Sequence, residues 1–137
     1  FYMFTGADAK TPLPGLMAVE IYRNYDGKNS MFGDSSLKSS SADQGKLSVY
    51  GALRGSDGAI TIMVINKTYG TLSSTISISN FTSSGTTAQA YQYSNADLTK
   101  IIALAPVTLT APKGGSTSSS ISTSFPGQSI TLLALPQ

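Results

Sequence analysis

Histidine, cysteine and tryptophan are absent from this 137-residue chain, and Glu20 is its only glutamate. Without His there is no Ser-His-Asp triad, and the commonest metal ligand is missing. Without Cys there is no thiol nucleophile, no disulfide framework and no Cys-based zinc site. Hydrolysis of a glycosidic bond calls for two opposed carboxylates. The six aspartates each sit in a turn-like setting where Asp is expected for local reasons. No Gly-rich phosphate loop is present either. This inventory argues against an enzyme, and no catalytic residue is assigned.

Charge is scarce as well. Only 12% of residues are ionic, about half the usual share for a soluble domain. The 9 basic and 7 acidic side chains are spread singly, for a net charge of +2. That leaves no basic footprint for nucleic acid. No apolar run approaches the ~18 residues of a membrane span. Ser and Thr fill the gap, at roughly a quarter of the chain. A surface of hydroxyls and amides without Cys leans toward a secreted, extracellular bacterial protein. The chain starts at Phe1 with no signal-peptide pattern, which suggests one domain, residues 1–137, cut from something larger. Asn66-Lys67-Thr68 and Asn80-Phe81-Thr82 match the glycosylation triplet, a pattern that also arises by chance.

What is present has a period of two. In LSVYGALR, Leu47, Val49, Gly51 and Leu53 share one face, with Ser48, Tyr50, Ala52 and Arg54 on the other. Asp57-Gly58 signals a hairpin, and AITIMVIN, apolar on both faces, reads as a central strand between packed layers. STISIS (Ser74–Ser79) alternates, with Ile76 and Ile78 inward. TAQAYQYS, PVTLTAP, SSISTSF and SITLLAL supply four further runs bounded by Gly, Pro, Ser or Asn. The fold class is all-β: a β-sandwich of jelly-roll or Greek-key type with about eight or nine antiparallel strands. Ser94–Ala105 is left open as strand, helical turn or crossover. Leu16–Tyr25 is open as helix or strand, with Pro12 and Pro14 placed to start a helix. Gly114–Ser120 reads as a low-complexity loop.

Aromatic side chains offer a binding chemistry. A flat ring covers the apolar face of a sugar while Asn, Asp and Gln bond its hydroxyls. Tyr91 and Tyr93 would share a strand face with Gln89, leaving Ala88 and Ala90 inward; the competing reading is that both tyrosines simply cover the sheet. Tyr69, in the NKTYG turn, is expected to be exposed. In NYDGKNSMFGDSS (Asn24–Ser36), Tyr25 is a candidate platform, with Asp26 and Asn29 as its polar rim. That stretch lacks the spacing and terminal Glu of an EF-hand loop. A structural calcium held by distant loops stays open, so the metal is unknown and no other cofactor is expected. The reading preferred for the stretch is a structured loop, with Tyr25 its best candidate for contact.

Ile21–Lys67, IYRNYDGKNSMFGDSSLKSSSADQGKLSVYGALRGSDGAITIMVINK, resembles the β-domain segment of glycoside hydrolase family 44 endoglucanases. The features carrying it are YRNYDG, the FGD turn, the LSVY strand, the DG hairpin and the MVINK strand. The ending PGQSITLLALP is similar to that domain's closing strand. The family's two catalytic Glu lie on a barrel that has no counterpart here, so the resemblance transfers no catalytic residue. It implies a non-catalytic carbohydrate-binding module with a β-glucan ligand: cellulose, cello-oligosaccharide, xyloglucan or mixed-linkage glucan. A covalently linked catalytic domain is the implied partner. The alternative is a structural β-domain that buttresses that barrel without binding sugar.

Overall fold

The computed structural model describes residues 4–5, 11–112 and 117–137. Two short strands, β1 (Phe4–Thr5) and β2 (Thr11–Pro12), pair ahead of helix α1 (Pro14–Arg23). Eight strands follow: β3 (Ser35–Leu37), β4 (Leu47–Leu53), β5 (Ile60–Asn66), β6 (Leu72–Ser79), β7 (Thr87–Ser94), β8 (Asp97–Thr108), β9 (Ser118–Phe125) and β10 (Ser129–Leu135). Six of them form an antiparallel sheet in the order β3-β4-β5-β10-β7-β8, and β6 pairs with β9 in a second layer. The expected antiparallel sandwich is therefore present, with one helix added.

Helix α1 settles the first open segment. Pro14 occupies its first turn, where a missing N–H costs nothing. Met17 and Ile21, four apart, are buried, and Tyr25 continues the same line after the helix ends at Asn24. Ser94–Ala105 resolves as the end of β7, a tight turn and most of β8, which also absorbs Pro106–Thr108. The low-complexity loop is a partial correction. Ser118–Ser120 belong to β9, where pairing with Ser77–Ser79 orders them, and 114–116 lie outside the described residues.

The large sheet buries both faces, as the run in β5 required. Toward β6 and β9 it presents Ile60, Ile62, Val64, Ala88, Ala90, Leu133 and Leu135, packed with Ile78, Ile121 and Phe125. Toward α1 it presents Met63, Tyr93, Leu132 and Ala134, packed with Met17, Ile21 and Tyr25. The register sets this alternation, with Met63 opposite Leu132 and Ile62 opposite Leu133. Burying a side chain of this size is worth roughly 1.5–3 kcal/mol, so neither layer is dispensable. Of the buried polar side chains, Thr61 and Asn66 are among those with almost no exposure, and both are fully engaged. Asn66 Nδ2 donates to the Gly70 and Phe125 carbonyls, and its Oδ1 accepts from the Thr68 amide and hydroxyl. At 1% exposure the first glycosylation triplet is therefore closed to modification in the folded chain, whereas Asn80 is exposed.

Candidate functional site

The loop after α1 is tightly built. Gly27 and Asn29 take positive φ, 72° and 68°, which suits Gly and is tolerated by Asn. The Asp26 carboxylate closes this turn by accepting the Lys28 amide (2.8 Å), the Ser30 amide (3.1 Å) and the Ser30 hydroxyl (2.6 Å). Burial pushes the Asp26 carboxyl up, but those three bonds outweigh it and its pKa falls below the ordinary value. Asn29 donates its amide to Asn24 Oδ1 and leaves its side chain exposed. Beyond the turn, the Gly33 amide bonds Thr61 Oγ1 and the Asp34 amide bonds the Leu53 carbonyl. The segment is thus fixed against β4 and β5. It is a structural loop, and both Asp26 oxygens are already committed to holding it.

Tyr25 is 5% exposed, so the expected platform is instead part of the core. Its ring lies 4.8 Å from that of Tyr91, tilted by 49°. Its hydroxyl accepts from Arg54 Nη1 at 2.7 Å, and the same nitrogen donates to the Met31 carbonyl. Arg54 completes the cluster with a two-pronged bond to Asp57, Nε at 2.9 Å and Nη2 at 2.8 Å. Asp57 holds the guanidinium more firmly charged, with burial opposing and Tyr25 assisting; Arg54 in turn lowers the Asp57 carboxyl. Arg54 and Asp57 were not expected at a site. The signal was their three-residue spacing across the Gly55–Gly58 turn.

The structure brings Tyr25, Asp26 and Tyr91 together and separates the rest. Tyr91 is half-buried, and its pKa is raised by burial, then by the Asp26 charge and Tyr25. Gln89 is exposed two residues earlier on the same face of β7, with Ala88 and Ala90 inward as expected. Tyr93 is a second correction. It is 7% exposed, packs beneath α1 and donates its hydroxyl to the Leu98 carbonyl. Tyr69 follows the opposite end of β5 and is 90% exposed, as its turn implied. Among the described residues no three acidic side chains converge as a metal site, and no helix is long and apolar enough to cross a membrane.

One surface feature was missed. Tyr50 is 47% exposed, Met31 44%, Val19 44% and Tyr22 38%. They are neighbours: Tyr22 meets the half-buried Phe32 edge-on with ring centroids 5.3 Å apart, and it lies within electrostatic reach of Tyr50. The Phe32 amide, next to Met31, bonds the Tyr22 carbonyl, and Val19 precedes Tyr22 by one helical turn. These residues form an apolar patch along the outer side of α1 and β4.

No protein-family model and no curated protein sequence matches the chain. Solved structures do. A bifunctional glucanase-xylanase, CelM2, from a metagenome library is 38% identical over 93% of this chain, with a TM-score of 0.79; the match takes in 22% of that protein. A Paenibacillus polymyxa xyloglucanase of glycoside hydrolase family 44 is 23% identical over 88% of this chain and 22% of its own, with a TM-score of 0.70. The family 44 endoglucanase Cel44A of Clostridium thermocellum is 23% identical over 87% and 22%, with a TM-score of 0.69. The chain thus spans about a fifth of the proteins it matches. The likeness first visible in Ile21–Lys67 extends in three dimensions to most of its length: this is a β-sandwich domain of the kind that glycoside hydrolase family 44 endoglucanases carry.

Proposed function

We propose that this is a non-catalytic accessory domain of a secreted β-glucan-degrading glycoside hydrolase, covalently continuous with the catalytic domain and packed against it. The apolar patch of Val19, Tyr22, Met31 and Tyr50 carries this reading. Contiguous apolar surface of this sort marks an interaction site. Two of these side chains, Val19 and Tyr22, lie on α1, the segment through which the chain enters the sandwich, and Met31 lies in the loop that follows it. With Tyr25 and Tyr93 buried in the core, two of the four tyrosines expected to stack on sugar serve the fold instead.

The test compares the 137-residue chain with a longer polypeptide that includes the catalytic portion. The isolated chain should bind a hydrophobic dye, and a Tyr22→Ser, Met31→Ser, Tyr50→Ser variant should bind much less. In the longer polypeptide the dye signal should vanish. A patch equally dye-accessible in both would overturn the proposal.

Direct contact with β-glucan is the second reading. The 90% exposure of Tyr69 favours it, as do Gln89 and the half-buried Tyr91 on one strand face. Electrophoresis through gels containing cellulose derivatives, xyloglucan or mixed-linkage glucan decides it. Unretarded migration in every gel removes it.

A further inference from the structure

Among the described residues the two layers of the sandwich are unequal, six strands against two. The consequence is a groove of about 920 Å³ beside β6. One wall is β6 itself, from Leu72 to Asn80, and the other is the loop running through Lys38 to Asp43. The floor is the inner face of β4 and β5: Leu47, Val49, Ile60, Ile62 and Val64. Leu47, Val49 and Leu53 point into the sandwich and yet stay only partly buried, whereas Ala88, Ala90 and Leu133 on the other half of that face are sealed. The inner face is closed over β5, β10 and β7 and left open along β4.

The edge of β6 specifies the missing cover. Asn80 donates its amide to the Thr117 carbonyl, continuing the β6–β9 register. In an antiparallel pair such bonding alternates. Ile78, Ile76, Ser74 and Leu72 therefore bond to β9, and Ser79, Ser77, Thr75 and Ser73 turn their N–H and C=O groups away from it. The hydroxyl contacts Ser73–Ser124, Thr75–Ser122 and Ser79–Ser118, at 2.8–2.9 Å, fall at the non-bonded pairs, where opposing side chains approach most closely. Among the described residues β6 has no neighbour on its other side. Four residues thus present a ladder of donors and acceptors along a groove whose floor is aliphatic.

We infer that the groove takes one extended polypeptide strand, antiparallel or parallel to β6, that completes the second layer by β-augmentation. Such a strand lies about 4.8 Å from β6 and about 10 Å above β4 and β5. It alternates apolar residues facing Val49 and Ile62 with polar residues facing outward, as β6 does itself. A glucan chain offers neither the amide spacing nor the apolar side chains this geometry matches. The occupant is a segment of the parent polypeptide outside residues 1–137. The relative that is 38% identical holds 22% of its length in the matched region, so polypeptide to supply the strand accompanies a domain of this kind. The source of the strand rests on the accessory-domain reading; the strand site does not.

Amide hydrogen exchange, read residue by residue by NMR on the 137-residue chain, tests this. Alone, Ser73, Thr75, Ser77 and Ser79 should exchange fast while Ser74, Ile76 and Ile78 exchange slowly. The probe is an eight-residue acetylated peptide alternating Val and Thr, Lys at each end, at millimolar concentration. It should slow the four fast amides by about tenfold or more. Thr75→Pro removes an outward N–H at an edge position where proline is tolerated, keeps the backbone bonds to β9 while losing the exposed Thr75–Ser122 hydroxyl contact, and should abolish that protection with Ser74, Ile76 and Ile78 still slow. Unchanged exchange with the peptide overturns the strand site, as does protection that survives Thr75→Pro. Protection by cellohexaose in place of the peptide, or protection that rises with protein concentration alone, overturns the choice of occupant. In the longer polypeptide the same four amides should already be slow, and fast exchange there overturns the assigned source. The dye signal lost in the Tyr22→Ser, Met31→Ser, Tyr50→Ser variant reads the α1 side alone, so the two proposals fail separately.

Discussion

Removing the Tyr25 ring separates a core tyrosine from a sugar platform. Tyr25 is 5% exposed, stacks against Tyr91 at 4.8 Å and accepts the Arg54 guanidinium at 2.7 Å. Tyr25→Phe deletes only the hydroxyl. A hydrogen bond to a charged group is worth ~1.5–3 kcal/mol. Arg54 Nη1 retains the Met31 carbonyl, which places the expected loss near the lower end, about 1–1.5 kcal/mol. Tyr25→Ala also removes the ring, at about 3–5 kcal/mol for an aromatic truncated in a core. For a domain of this size each kcal/mol moves the melting temperature by ~3–5 °C. Thermal melts should therefore fall by about 3–7 °C for the Phe variant and by about 10–20 °C for the Ala variant. Glucan retention, where measured below the new melting point, should not change. A Tyr25→Ala chain that melts within about 2 °C of the original but loses glucan retention would refute the core assignment.

Tyr69→Ala should leave the melt unchanged within about 0.5 kcal/mol, because the ring is 90% exposed; any loss of glucan retention would then report direct contact. Asn66→Ala should destabilise by about 2–4 kcal/mol, since it strips the side-chain donor from the buried Phe125 carbonyl and the acceptor from the Thr68 amide; a denaturant midpoint that does not move would refute the engaged geometry. Gly33→Ala places a methyl 2.6 Å from the Leu53 backbone and should cost about 1–3 kcal/mol, with faster exchange at the Asp34 amide. Stability should be flat from about pH 5 to 8, because no His titrates there. Asp57 and Asp26 have carboxyls lowered from 3.8, Asp57 by Arg54 and Asp26 by its turn bonds against a burial penalty, so their contribution is present above that value and lost as pH falls through their folded pKa. Tyr22, Tyr91 and Tyr93 are raised above 10.0, by burial first, so stability should fall again as alkaline pH exceeds 10. A melt at pH 3 equal to that at pH 6 would contradict the carboxylate part.

Period-two alternation was enough to place β4, β5, β6 and β10 and, in β4, β6 and β7, to orient the two faces. It did so because each strand's inward set is fixed by one covered side. Ile76 and Ile78 face the core, and Ala88 and Ala90 do too. What alternation cannot carry is which outward face is later covered by something distant in sequence. Tyr91 and Tyr93 do project opposite Ala88 and Ala90, as their spacing said. That opposite face lies under α1, some seventy residues upstream, and the cover turns a solvent face into a second core. Tyr25 was misjudged for the same reason: it sits in a Gly- and Asn-rich loop, but the helical line through Met17 and Ile21 carries it inward. Conversely, Tyr50 shares a strand face with the buried Ser48 and Ala52 yet is exposed, because α1 packs over β7 and β8 and stops short of the outer face of β4.

The composition and the groove have one physical cause in common. With 12% charged residues, the chain cannot defend an open strand edge with rows of Lys, the usual device against unwanted pairing. The outer face of β6–β9 is instead a ladder of hydroxyls that satisfy one another across the strands. Such a ladder keeps the face wet, but it leaves the in-plane edge of β6 unprotected, since side-chain hydroxyls above the sheet do not block backbone groups within it. An eight-residue alternating strand left in that state is a template for pairing. A chain under selection for solubility would shorten it, bulge it or charge it. β6 shows none of these, and its register with β9 runs unbroken over all eight residues. The persistence of a regular, uncharged edge beside an aliphatic floor is the expected state of a strand whose neighbour is supplied from elsewhere.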